Sequence, residues 1–169
     1  LLGAFAFYSP VATREWLRPG TPTLWWHENR ENARIGFYLR AQTPPALSVA
    51  LHCAGTTAYF AERPAIDVPG KSDRHIAKLP VRVFHPGHSK WDWDYVLYER
   101  RPDVITETSR GLDNHPELAR RYYYAKTSDG LAFHVRKDAL ARIRDHALVL
   151  YAFRSRRGLT WEAAVARAE

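Results

Sequence analysis

The first clear pattern of apolar and polar positions lies in residues 28–45, "ENRENARIGFYLRAQTPP". Ile35, Tyr38, Leu39 and Gln42 recur at the 3.6-residue period of an α-helix and therefore share one face. The two prolines at the end of the segment cannot continue a helix, because proline lacks the backbone N–H and clashes with the preceding turn. The pattern predicts one helix that ends just before them.

Three short apolar runs predict β-strands, and two helical patterns separate them. The first run is continuously apolar up to a glycine, which is typical of a strand covered on both faces. The strand segments are "LSVALHCAG" (47–55), "AIDVPG" (65–70) and "DVITET" (103–108). The helical segments are "TTAYFAERP" (56–64) and "KWDWDYVLYERRP" (90–102). This alternation predicts a three-layer α/β fold: a mostly parallel sheet, with right-handed crossovers and helices on both faces.

The C-terminal part predicts a β-hairpin followed by helices. "RRYYYAKTSDGLAFHVRK" (120–137) contains two strand patterns joined at Ser128, Asp129 and Gly130, a strong turn signal. Residues 138–153 have a helical pattern, and "TWEAAVARA" predicts a last short helix. We expect Thr160 to be the N-cap of that helix, because its hydroxyl can accept a hydrogen bond from the first turn.

The N-terminal 27 residues differ from the rest of the chain. They begin with eight apolar residues, "LLGAFAFY", and continue through a proline-rich and tryptophan-rich connector. Eight residues are far short of the roughly 20 that cross a bilayer, but they are compatible with the end of a longer membrane helix. A short buried strand or helix is an equal interpretation. We therefore divide the chain into residues 1–27, a membrane-helix end and connector, and residues 28–169, a soluble α/β domain.

Composition favours anionic partners without identifying one. The formal net charge is +7, and 20 of the 25 basic residues are arginine, which pairs well with phosphate and carboxylate. Acidic residues interrupt the basic C-terminal part at Asp138 and Asp145, and no nucleic-acid-binding motif accompanies it, so we expect no nucleic-acid partner. Cys53 is the only cysteine, which excludes an internal disulfide and a cysteine-based zinc site.

Two polar loops contain the candidate chemistry. One follows the second predicted strand, and the other, "HPGHSKWDWD" (85–94), precedes the third. His52, Cys53 and Gly55 follow the first strand, and Glu107–Arg110 follows the third. Because ligands bind beyond the carboxyl ends of parallel strands, we expect one shared site. Imidazoles and an ammonium beside a glycine turn suit an anion or sugar phosphate. The predicted substrate-binding residues are Asp67, Asp73, His75, His88, Lys90 and Trp91.

Other interpretations of the same residues stay open. Asp67, Asp73, His75 and His88 are acceptable ligands for a divalent cation, and a free-standing metal-dependent hydrolase would use them in that way. None of the tight metal-binding spacings is present, however, and we predict no metal site in this chain. In a purely structural or interaction domain, Asp67 would instead accept backbone hydrogen bonds in the turn to Gly70, and Asp73 would cap a short helix.

The tryptophans and threonines in these segments also have structural interpretations. Trp91, Tyr95 and Tyr98 share a face at helical spacing, which directs Trp91 to the core and leaves Trp93 exposed. The alternative is that both rings form a platform for a sugar. Thr56 and Thr57 after Gly55 resemble part of a phosphate cradle, but the other glycines and the lysine of such motifs are missing, and a plain turn in which threonine caps the helix is the favoured interpretation.

The order of several short motifs resembles one known family. The matching segments are "IDVPGKSDRHIA" at Ile66–Ala77, "GHSK" at Gly87–Lys90 and "YVLYERRPD" at Tyr95–Asp103. Together with Pro45, Ala54, Gly55, Tyr59 and Phe60, they resemble the C-terminal extracytoplasmic domain of bacterial GT-C type membrane glycosyltransferases, relatives of arabinofuranosyltransferases and protein mannosyltransferases. The resemblance covers residues 28–106 well and the remainder loosely.

The resemblance implies a function for the parent protein rather than for this chain alone. It implies transfer of a sugar from a polyprenyl-phosphate donor to a cell-envelope glycan acceptor, with the domain on the extracytoplasmic side of the cell membrane. Catalytic residues, and any divalent metal, would lie in the membrane part of the same polypeptide. The domain would then be non-catalytic and need no cofactor, and its polar loops would help to bind acceptor or donor phosphate or dock the domain.

Overall fold

The structure is a computed structural model that describes residues 17, 20, 26–52, 54–83, 88–106, 111–153, 155 and 157–167. Its first half alternates helices and strands, as the sequence predicts. The elements are helix α1 (Trp26–Gln42), strand β1 (Val49–Leu51), helix α2 (Thr56–Ala61), strand β2 (Ala65–Asp67), helix α3 (Arg74–Ala77), a π-helix (Tyr95–Arg100) and strand β3 (Val104–Ile105).

The second half is built mainly from strands and short helical turns. Its elements are a 3₁₀-helix (Leu112–Asn114), helix α4 (Pro116–Arg121), strands β4 (Tyr122–Lys126) and β5 (Ala132–Arg136), a second 3₁₀-helix (Lys137–Arg142), strands β6 (Val149–Tyr151) and β7 (Gly158–Leu159), and helix α5 (Trp161–Val165). The predicted hairpin is confirmed as β4 and β5. The predicted N-cap is confirmed too, because Thr160 Oγ1 accepts a hydrogen bond from the Ala163 N–H.

The seven strands form one mixed sheet in the order β2-β1-β3-β5-β4-β6-β7. Only β1–β2 and β1–β3 are parallel, and the other four neighbouring pairs are antiparallel. The prediction of a mostly parallel sheet is therefore wrong. The helix-strand alternation does produce parallel strands up to β3, but the hairpin then joins β3 antiparallel and β6 and β7 extend it.

Alternate residues of the strands build a core on each face of the sheet. Val49, Leu51 and Val104 lie in the first-face core, whereas Ala50 and Ile105 lie in the second-face core. Helices α1, α2 and α5 pack against the first face, and α3, the π-helix and α4 contribute to the second. Helices α1 and α2 pack closely at Gly36, which has no side chain. A Cβ at this position would lie 2.7 Å from the Cβ of Phe60, closer than real Cβ atoms come.

The predicted helix over residues 138–153 is wrong. The 3₁₀-helix ends at Arg142, and Val149–Tyr151 form strand β6 beside β4. Leu148 and Leu150 are buried while Val149 is 42% exposed, a period of two that is diagnostic of a strand. Strand β7, which was not predicted, pairs with β6 over two residues.

The segment 90–102 is helical, but its buried face differs from the predicted one. Residues Tyr95–Arg100 form a π-helix, in which the Arg101 N–H bonds to the Val96 carbonyl five residues earlier. A wider turn changes which positions face inward. Val96 and Leu97 are buried, and Tyr98 is 46% exposed.

The N-terminal predictions mostly cannot be followed, since most of residues 1–25 lie outside the described residues. Helix α1 begins at Trp26, two residues before the predicted domain boundary. Among the described residues, no helix is both long enough and apolar enough to cross a membrane.

Candidate functional site

The two polar loops meet at one edge of the sheet. Lys71 Nζ, in the loop after β2, lies 3.4 Å from His88 Nε2 in the second loop. Lys90 Nζ donates a hydrogen bond to the Ala77 carbonyl, at the end of α3. His75 is joined to the second loop by a 3.0 Å contact between its Nε2 and Asp92 Oδ2. The loops that contain all six predicted binding residues are therefore in contact.

A group of three side chains lies where the parallel strands end, and we call it the histidine–lysine cluster: His52, Lys71 and His88. His52 directly follows β1, and its ring stacks on that of His88 with centroids 4.5 Å apart and planes at 22°. Lys71 has only donors, so His88 Nε2 accepts the hydrogen bond in this arrangement. The cluster brings one cation and two polarizable rings to the edge where open α/β sheets bind ligands.

Asp67 shapes the loop that presents Lys71. It is 3% exposed, and its Oδ2 accepts hydrogen bonds from the backbone N–H and the hydroxyl of Ser72. Gly70, between them, has φ +75°, and a Cβ there would lie 2.5 Å from Ile76 Cγ2. This loop therefore requires glycine. Asp67 acts here as a turn residue, as the structural interpretation predicted.

Asp73 belongs to a second group, which we call the capped-helix cluster: Asp73, His75, Asp92, Tyr95 and Arg100. Asp73 Oδ1 caps α3 by accepting from the His75 and Ile76 N–H groups, which confirms the predicted cap. Its Oδ2 accepts from the Tyr95 hydroxyl and from Arg100, each at 3.2 Å. Both carboxylate oxygens of Asp73 are thus engaged inside the protein.

His75 and Asp92 complete the capped-helix cluster. The His75 ring stacks on Tyr95 with centroids 4.0 Å apart and planes at 18°. Partial burial by itself would raise the pKa of Asp92, but hydrogen bonds from the Tyr95 N–H and from His75 outweigh it and hold that pKa below its ordinary value. The His75–Asp92 contact therefore links α3 to the start of the π-helix.

The tryptophans differ from both interpretations of the sequence. Trp93 is only 6% exposed and belongs to the second-face core, so the prediction that it is the exposed ring is wrong. Trp91 is half-buried against that core, and the Arg82 guanidinium lies 5.4 Å from its ring centroid. A platform of two exposed tryptophans is therefore absent.

The surroundings of the loops are strongly basic. Residues 71–90 contain five lysines and arginines but one acidic residue, Asp73. An open hollow of about 520 Å³ lies beside His75, lined also by Arg74, Lys78, Leu79 and Tyr95. Long cationic side chains around a hollow raise the local concentration of anions.

A metal site does not form from the predicted ligands. Across the described ranges, no three His, Cys, Asp or Glu side chains are grouped so as to hold a metal ion. Asp73 is engaged with Arg100, His75 with Asp92, and His88 with Lys71. Cys53, His85, Gly87 and Glu107–Arg110, which the sequence also placed at this edge, lie outside the described residues.

The sequence missed some partners at this edge. Lys71 was not among the predicted binding residues. The available signal was its position directly after the turn glycine Gly70, where a loop exposes its side chains. Thr56 and Thr57 do not cap α2: its N-cap is Gly55 without a side-chain bond, and Thr57 Oγ1 instead donates to the Asn32 carbonyl.

Comparison with known proteins identifies a family for this chain. A family model described as "Domain of unknown function (DUF8728)" matches residues 22–152. No curated protein and no solved structure matches the chain.

Proposed function

We propose, from the premise that this chain belongs to the DUF8728 family, that it binds a phosphate-bearing ligand at the histidine–lysine cluster. The observation that carries the proposal is the 3.4 Å contact between Lys71 Nζ and His88 Nε2, together with the stacking of the His52 ring on the His88 ring. These groups come from three separate segments of the chain. A site assembled in this way at the carboxyl ends of β1 and β2 has the position and the charge of an anion site.

The neighbouring charges favour a phosphate over a cation. Arg74 and Lys78 line the hollow beside the capped-helix cluster, and both are exposed. Asp73 offers little opposing charge, because Arg100 pairs with it. Asp67 is turned into its own loop by Ser72. A phosphate oxygen at the cluster would accept a charge-assisted hydrogen bond from Lys71 in place of His88. The His88 Nε2 would donate a second hydrogen bond to the phosphate once that nitrogen carries a proton.

We further propose the biological setting that the sequence resemblance implies. The domain would be a non-catalytic, extracytoplasmic part of a membrane glycosyltransferase, in a three-layer arrangement, and the phosphate would belong to a polyprenyl-phosphate sugar or to the acceptor. What supports this setting is that the resembling motifs include the loops of the cluster: Lys71 lies within Ile66–Ala77, and His88 lies within Gly87–Lys90. The membrane domain of the same polypeptide would be its partner.

The phosphate site is tested by calorimetric titration of the 169-residue chain with inorganic pyrophosphate. We expect Lys71→Ala and His88→Ala each to weaken binding about fivefold or more, because each removes a hydrogen bond to a charged group. Lys126→Ala, on strand β4, is the control, since it removes the same charge as Lys71→Ala elsewhere. Equal weakening by all three variants, or absence of pyrophosphate binding in the wild type, would refute the site.

The membrane setting is tested by a second arm of the same experiment. In the full-length protein in its native membranes, we expect Lys71→Ala to lower sugar transfer from a polyprenyl-phosphate donor. Arg144→Ala, which removes a positive charge at an exposed position outside both the cluster and the hollow, should leave it unchanged. An antibody raised against this domain should detect a membrane-bound polypeptide much larger than 19.5 kDa. Detection only of a soluble polypeptide of that mass would contradict the setting and leave the phosphate site intact.

A further inference from the structure

A cleft of about 700 Å³ lies on the second face of the sheet, away from the histidine–lysine cluster. The second-face core includes Tyr122 of β4, and the same face of β5, β4 and β6 continues beyond it as the floor of the cleft. Strand alternation places His134, Tyr124 and Tyr151 side by side there, since register pairs Tyr124 with both of the others. The volume suits a small ligand.

Aromatic rings form the floor of this cleft. The Tyr124 ring centroid lies 5.4 Å from that of His134 and 6.2 Å from that of Tyr151. Lys126 Nζ lies 5.7 Å from the Tyr124 centroid, at the end of the same row. A row of tilted rings with polar tips offers apolar faces and hydrogen-bonding groups together.

His134 is the unusual member of the row. It is 8% exposed, and its Nδ1 is enclosed without a hydrogen-bond partner among the residues that the structure describes. Burial lowers its pKa to about 4, so the ring is neutral near pH 7. A buried polar ring that is short of partners costs stability and is uncommon in folded proteins. Because Nδ1 is enclosed, the other ring nitrogen, Nε2, is the one that a ligand in the cleft would contact.

The described residues that line the cleft have no net charge. Asp113 and Lys126 contribute one charge of each sign, and Asn114 and the tyrosine hydroxyls are neutral. This differs from residues 71–90, where basic residues dominate. The aromatic faces of the cleft suit the C–H face of a ring that also carries hydroxyl groups.

We propose that this cleft binds a neutral sugar ring, stacked on Tyr124 and Tyr151 and hydrogen-bonded by His134 and Asn114. The cleft shares no residue with the histidine–lysine cluster. Sugar binding and phosphate binding can therefore fail separately.

The test is an NMR titration of the 169-residue chain with neutral disaccharides: maltose, cellobiose, lactose and mannobiose. We expect at least one to shift the ring resonances of His134, Tyr124 and Tyr151 in a saturable way. Tyr151→Leu should weaken that binding about fivefold or more, because it removes one stacking face. Asn114→Ala should weaken it about threefold or more by removing a hydrogen bond at an exposed position where folding is not at risk.

The controls separate this site from the phosphate site. Lys71→Ala should leave sugar affinity unchanged, and pyrophosphate should not displace the sugar. Thermal melting checks that Tyr151→Leu is folded. If Tyr151→Leu is unfolded, the affinity of Asn114→Ala for the disaccharide decides the test. The proposal is overturned if no disaccharide shifts these rings, or if both variants bind as the wild type does.

Discussion

At the scale of single residues, His134 shows what strand register does to a titratable group. Alternation along β5 buries Phe133 and Val135 in the first-face core and turns His134 to the opposite face. The strand pattern of this hairpin was predicted from the sequence, but the pattern alone does not tell how deeply the opposite face is buried. The structure buries His134 in the wall of the cleft, and burial lowers its pKa to about 4.

This shift predicts a loss of stability in mild acid. The folded pKa of about 4 lies below the ordinary value of 6.5, so the unfolded chain takes up the proton first as the pH falls. The free energy of unfolding should therefore decrease from pH 6.5 down to pH 4 and be constant with respect to this group outside that window. The difference of 2.5 units corresponds to about 3 kcal/mol.

Urea unfolding at several pH values checks the His134 prediction. In His134→Gln this part of the pH dependence should be absent. The free energy of unfolding of the variant should therefore rise relative to that of the wild type as the pH falls from 6.5 to 4. Tyr124→Phe is a control on the same face, and its difference from the wild type should not change across the window. A constant difference between His134→Gln and the wild type would contradict the prediction.

At the scale of elements, Asp103 joins four segments at the start of β3. It is 4% exposed; its Oδ1 pairs with Arg136 at 2.8 Å and with Arg142 at 3.0 Å, and its Oδ2 accepts from the Ser48 N–H and hydroxyl. These partners lie before β1, at the end of β5 and at the end of the second 3₁₀-helix. One carboxylate thus fixes the junction between the parallel and antiparallel halves of the sheet.

Removal of the Asp103 carboxylate should lower the free energy of unfolding far more than removal of a carboxylate at the surface. We expect Asp103→Ala to lower the free energy of unfolding by about 3 kcal/mol, because it removes a buried partner from two arginines and leaves the Ser48 N–H and hydroxyl without their acceptor. Asp138→Ala is the matched control: it also removes a partner of Arg136, but Asp138 is 59% exposed, and we expect a loss of about 1 kcal/mol or less. Similar losses for the two variants in urea unfolding would show that the junction is not held in this way.

The elements also show where sequence patterns suffice and where they fail. Helix α1, strands β1 and β2, the hairpin and the Thr160 cap each depend on local chemistry, and the sequence predicted them. Strand β6 is three residues long, too short for its period of two to outweigh the helical pattern around it. The wide turn of the π-helix cannot be read from a 3.6-residue period, so the buried face of residues 90–102 was predicted wrongly.

Some features of the candidate site could also be predicted from the sequence, and others could not. Contact between the two polar loops followed from the parallel pairing of β1 and β2, which the sequence predicted correctly. The partners within the site did not follow, because Asp73 with Arg100 and Lys71 with His88 join positions 27 and 17 residues apart. The cleft was missed since it requires the position of β6, and that segment was predicted to be helical.

At the scale of the whole molecule, the two cores share one sheet and should unfold together. Strands β1 and β4 each supply alternate residues to both cores. Val49 and Tyr123 lie in the first-face core, and Ala50 and Tyr122 lie in the second-face core. Loss of either core therefore removes half of the packing of the same strands. Leu140→Ala on the first face and Leu97→Ala on the second, both fully buried, should each cost about 2 to 5 kcal/mol.

Fluorine NMR of protein labelled with 5-fluorotryptophan can follow the two faces separately, because Trp161 packs on the first-face core and Trp93 lies in the second. We expect both signals to disappear at one urea midpoint in the wild type, and at one shifted midpoint in each variant. Val81→Ala, at a position 62% exposed, should move the midpoint little. If Leu97→Ala moved the Trp93 midpoint and not that of Trp161, the faces would be independent units, and a sheet shared by both cores does not allow that.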